Sequence, residues 1–91
     1  MIDLENLYRK AMEIYGFPAQ AAMAVEECSE LINAICKWRR RRVGEDDVIT
    51  EIADVMIMCE QLSYYFGKER IELEKERKLE RLKERLSEYI D

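Results

Sequence analysis

The sequence predicts an all-α domain of four helices, and three observations carry that prediction. One Pro and three Gly in 91 residues leave the punctuation that breaks helices sparse. The glycines, Gly16, Gly44 and Gly67, divide the chain into segments of several helical turns each. Within the segments apolar residues recur at three- and four-residue intervals, the period of a helix face. Residues 1–91 are read as a single small domain with a limited core, so burial in a homodimer or a dimer of dimers is expected.

The first helix is predicted over residues 3–15, with Asp3 as N-cap and Leu4, Leu7, Ala11 and Ile14 on one apolar face. Tyr8 and Tyr15 are read as core or rim packing. Gly16 ends this helix, and Pro18 starts the second near its first turn. The second helix is predicted over residues 18–41, with Ala21, Val25, Cys28, Ile32, Ile35 and Trp38 as its apolar stripe. Met23, Glu27, Glu30, Ala34 and Lys37 follow the same period on a neighbouring face. The basic run Lys37-Trp38-Arg39-Arg40-Arg41-Arg42 suits a helix C-terminus, where positive charge meets the macrodipole. The sharper alternative is that one or two of these arginines hold phosphate or pair across a subunit interface.

Val43-Gly44 is read as the turn into a third helix over residues 46–66, opened by acids that suit its N-terminus. Val48, Ile52, Val55, Cys59, Leu62 and Phe66 form its seam, and Ile49, Ala53 and Met56 widen it. A helix apolar nearly all round belongs at the centre of an assembly. After Gly67 a charged helix is predicted over residues 68–90, with Leu79, Leu82, Leu86 and Tyr89 or Ile90 at near-heptad spacing. That pattern suits a packing or oligomerising helix.

Two carboxylate pairs stand out against this apolar background. Glu27 and Glu30 lie three residues apart in the second helix, and Glu51 and Asp54 three apart in the third. That spacing puts both members of a pair on one helix face, about 4.5 Å apart along the axis. Two further pairs, Glu69/Glu72 and Glu88/Asp91, lie in the charged segment and read as solvated. The first two are flanked by apolar residues, where unpaired carboxylates are costly. Either a cation neutralises them or their helices expose that face. All-oxygen ligands suit Mg²⁺ or Mn²⁺. Lys37, two turns beyond Glu30 on the same face, either meets a substrate phosphate or pairs with the acids. Asn33 flanks that face, Glu26 borders it, and Asp47 shares the face of Glu51 and Asp54 while also fitting a capping role.

The order Glu26-Glu27-x-x-Glu30, then Glu51-x-x-Asp54 after twenty intervening residues, resembles the EExxE…ExxD signature of MazG-like nucleotide pyrophosphohydrolases. Gln20 before the motif, Leu31 and Ala34 after it, and Val55 beside Asp54 fit as well; the resemblance covers about residues 15–85. It implies an all-α enzyme that hydrolyses nucleoside triphosphates to monophosphate and pyrophosphate with Mg²⁺. It implies that Glu27, Glu30, Glu51 and Asp54 bind the metal and carry catalysis. Lys78-Leu79-x-Arg81 resembles the family's C-terminal basic motif, which adds Lys78 and Arg81 as cations that bind the triphosphate.

Composition removes several other chemistries. The absence of His excludes Ser-His-Asp and Cys-His machinery and the Glu-x-x-His motif of di-iron bundles. Cys28, Cys36 and Cys59 show no zinc-type pairing and are read as reduced core thiols of a cytoplasmic protein. A net charge of −5 argues against a nucleic-acid partner but not against a nucleotide, since bound metal reverses the local sign. The N-terminus lacks the apolar stretch of a signal peptide, and no apolar run reaches the ~18 residues of a membrane span. The competing reading is a non-enzymatic helical interaction module, its acids partnered by arginines and its last seam binding another protein.

Overall fold

The computed structural model describes residues 2–89, which form four α-helices and no strand. They are α1 (Leu4–Tyr15), α2 (Phe17–Arg39), α3 (Glu45–Phe66) and α4 (Lys68–Leu86). Helix ends follow the expected punctuation. The Asp3 side chain accepts from the Asn6 N–H at 3.3 Å, capping α1. Gly16 (φ 81°) closes α1 by donating to the Met12 carbonyl, and Gly67 (φ 113°) closes α3 by donating to that of Ser63. Both glycines occupy backbone that favours a residue without Cβ.

The α2–α3 break falls before α3 at Gly44 as expected, but it closes differently from the other two. Gly44 has an ordinary extended backbone (φ −87°), and the left-handed residue is Arg41 (φ 61°). The Arg42 N–H donates to the Lys37 carbonyl at 2.9 Å, the long return bond that satisfies the end of α2. α2 thus stops at Arg39 rather than at residue 41, while α4 gives way to a turn over residues 87–89. Ile90 lies outside the described residues.

The larger departure is which faces turn inward. α2 and α3 make the main helix pair, and α1 packs across both. Between them lie Tyr8, Gln20, Ala24, Ala34, Met58 and Gln61. This is the acid-bearing face of α2 and α3, extended by small and amide residues. Of the stripes expected to form the core, Val48, Val55 and Leu62 on α3 are half-buried, whereas Val25 and Ile32 on α2 and the flanking Met56 on α3 are each more than 60% exposed. Cys28, Cys36 and Cys59 are exposed too, so they are not core thiols of the single chain. The small side chains of Ala24 and Ala34 let the two helices approach on the acid-bearing face, which leaves Val25 and Ile32 on α2 uncovered.

At one end of the pair an aromatic cluster joins three helices. Phe17 stacks on Tyr65 with centroids 4.1 Å apart, and Phe66 meets both edge-on. The Tyr8 hydroxyl donates to Glu60 at 3.3 Å; burial, then the Glu60 charge, pushes its pKa up. Beneath the cluster the Gln61 amide donates to Gln20, both side chains being buried. Removing one partner strands the other, so Gln61→Leu is expected to cost about 1–3 kcal/mol in urea unfolding. Gln20→Leu/Gln61→Leu should recover much of that loss; a double variant as unstable as the single would show that the amide pair is not the cause.

Candidate metal centre

Two turns from the Gln20–Gln61 pair, the same face carries the acids. Glu27 projects from the middle of α2, and Glu51 and Asp54 from α3 opposite. One carboxylate oxygen from each lies within 4.8 Å of the other two, and all three side chains are half-buried. Glu27 Oε2 and Glu51 Oε2 are shielded from solvent and have no hydrogen-bond partner. The ion pairs among the described residues, Glu5–Arg9 and Glu74–Arg77, involve none of these acids. The arginine-partnered arrangement is therefore absent from the described chain.

Electrostatics follow from that placement. Burial, then the charges of Glu30, Asp54 and Glu51, raises the pKa of Glu27 above its ordinary value. Burial, then Glu30 and Asp54, does the same for Glu51. Both groups therefore hold their protons more tightly than an isolated glutamate does. The donor set is oxygen only, the chemistry of a hard divalent cation, and two of the three acids carry a shielded oxygen without a hydrogen-bond partner. The residues present thus fit Mg²⁺ or Mn²⁺.

Glu30 is exposed and stands at the rim rather than in the convergent trio. It lines a cleft of about 240 Å³ with Asn33, Lys37, Asp47, Thr50 and Glu51. The cleft thus unites Lys37 with two of the acids, and it includes Asn33 and Asp47. Thr50 is the residue that sequence reasoning missed. Its hydroxyl donates to the Asp46 carbonyl at 2.9 Å, an ordinary habit of a helical threonine that marks no site. Glu26 is exposed and adds its charge to the field on Glu27. Arg39 and Arg40 line a separate cleft with Cys36.

Lys78 and Arg81 are not brought to the acids within the chain. They are exposed on α4, near Glu74, and the α4 backbone comes close only to that of α3. No helix among the described residues is long and apolar enough to cross a membrane. No protein-family model matches the chain, and no curated protein or solved structure matches it.

Proposed function

We propose that the protein is a Mg²⁺-dependent nucleoside triphosphate pyrophosphohydrolase, releasing nucleoside monophosphate and pyrophosphate. The observation that carries the reading is the convergence of Glu27, Glu51 and Asp54 within 4.8 Å, none of them in an ion pair among the described residues. The EExxE…ExxD resemblance supplies the substrate class. Glu27, Glu51 and Asp54 would hold the metal, with Glu30 completing the set at the rim. Divalent ions in such a site screen phosphate charge and activate a water for attack. The chain's own part is positional. Two helices fix the acids rigidly, Lys37 offers the cleft's cation to a phosphate oxygen, and a carboxylate of the cluster takes the proton from the attacking water. Lys78 and Arg81, if they serve the triphosphate, must reach it from outside the chain's own cleft.

The same reading includes a homodimer or dimer of dimers. The radius of gyration is 16.4 Å, whereas a compact chain of this length has about 12 Å. Those outward apolar stripes also favour one competing reading, a non-enzymatic interaction module. A pyrophosphate-release assay over a panel of nucleoside triphosphates separates the two. Turnover that requires Mg²⁺ or Mn²⁺ on at least one triphosphate is expected. No release from any of them, by folded protein with metal present, would leave the interaction module standing.

A further inference from the structure

We propose that the outward stripe of α3 is the docking surface for α4 of a second copy of this chain, the two copies exchanging this contact reciprocally. The inference deepens the homodimer reading and does not depend on the metal or the reaction.

α4 is a 19-residue helix with no buried residue, and its backbone comes close only to that of α3. Leu79, Leu82 and Leu86 are 52%, 47% and 43% exposed. They line a shallow groove of about 470 Å³ together with Lys83 and Ser87. Spacings of three and four continue from these leucines to Tyr89, which is 83% exposed, and describe the seam of a helix that packs against another. The molecule spans 50 Å along its longest axis, more than a domain folded around its own last helix needs.

Charge selects the partner. Beside the seam stand Lys78, Lys83 and Arg85, with Glu76 as the opposing acid. Two copies of α4 laid seam to seam would set these cations against one another, a destabilising arrangement. The seam therefore calls for an apolar stripe flanked by acids. Ile49, Ile52 and Met56 form such a stripe on α3, at 58%, 42% and 64% exposure. Glu45 and Asp46 stand at its start and Glu60 at its far end, all exposed. The other exposed stripe, Val25, Ile32 and Ile35 on α2, runs instead into the arginines that close that helix. A two-fold axis makes the α4-on-α3 contact twice, so each contact need supply only half of the roughly 1,000 Å² that a specific assembly buries.

Charge exchange tests the pairing by sedimentation velocity at micromolar concentration. One variant carries Lys78→Glu, Lys83→Glu and Arg85→Glu; the other carries Glu45→Lys and Asp46→Lys. Each alone should self-associate at least about tenfold more weakly than the parent. An equimolar mixture should restore the dimer, because each mixed pair regains both contacts with opposite charge. Circular dichroism checks that helix content is kept; if the α3 variant loses helix, Ile52→Glu takes its place for the self-association measurement alone, where it should weaken the dimer as much. A parent chain that is monomeric would overturn this proposal and the homodimer reading together. An α3 variant that dimerises like the parent would overturn the proposal alone, placing α4 on itself or on another surface. So would a mixture of the two charge-exchange variants, both folded, that stays monomeric.

Discussion

Glu51→Gln is expected to lower turnover on a triphosphate by roughly 100-fold or more, while leaving the metal-free protein as stable as the parent or more so. Glutamine keeps the shape of the side chain and removes its charge. Glu51 stands among Glu30, Asp54 and Asp47, whose charges, after burial, hold its pKa up, so neutralising it relieves repulsion. The opposite holds if the acid were one half of a buried ion pair, where loss of charge strands a partner and destabilises the fold. Paired measurements decide between these: melting temperature without metal, and turnover with it, for Glu51→Gln and Glu30→Gln. Mg²⁺ at a hundred times its dissociation constant should stabilise the parent by about 2.7 kcal/mol, and this gain should shrink with the activity. Near-normal turnover by both variants would remove the acids from catalysis. Inactive variants that are also markedly destabilised without metal would point to a structural role.

Much of the helix layout was legible because it rests on local chemistry. Asp3 caps, Gly16 and Gly67 take positive φ, and the breaks fall where these residues stand. The α2–α3 turn was legible only in position. There the left-handed residue is Arg41, fixed by the return bonds that close α2 rather than by residue type. Periodicity revealed two stripes on each central helix but not which one meets its own chain. Hydrophobicity ranks Val25, Ile32 and Ile35 above Gln20, Ala24 and Glu27 for burial, yet the second set faces α3. The choice depends on how closely two backbones can approach, and so on the pair rather than on either segment.

The candidate site divides in the same way. The i, i+3 spacing within each helix is enough to place its acids on one face. The register across α2 and α3 does not follow from spacing. It puts Glu27 with Glu51 and Asp54 and moves Glu30 to the rim. Lys37 was legible because it continues the Glu30 face. Thr50 was not, since it neighbours Glu51 in sequence and so points about 100° away from it around the helix, off the acid face that spacing picks out. Lys78 and Arg81 rested on resemblance, and the structure places them on a helix whose backbone does not approach that of α2.

Without metal, the protein is expected to lose stability as pH rises from the carboxylate range to neutrality, and Mg²⁺ is expected to reverse that trend. Glu27 and Glu51 both have folded-state pKa values raised above the ordinary 4.5, burial being the first cause. Below the unfolded value both states carry the proton and the cluster costs nothing. As pH rises past it, the unfolded chain ionises freely while the folded cluster must hold like charges together. The stability contributed by these two groups is therefore complete below the unfolded pKa and lost as pH climbs through the folded one. Glu74 works in the opposite sense, its pKa lowered by Arg77, but that pair is exposed and screened. Protons and Mg²⁺ compete for the same oxygens, so stabilisation by the ion should grow with pH as the protons leave. Thermal melts from about pH 5 to pH 8, with a chelator and with Mg²⁺, should give curves that diverge upward in pH. Glu51→Gln should flatten the chelated curve, because one of the two titrating groups is gone and the other has lost a neighbouring charge. A chelated melting temperature that rises across the range, or an Mg²⁺ effect independent of pH, would show that these carboxylates do not form one ion-binding cluster.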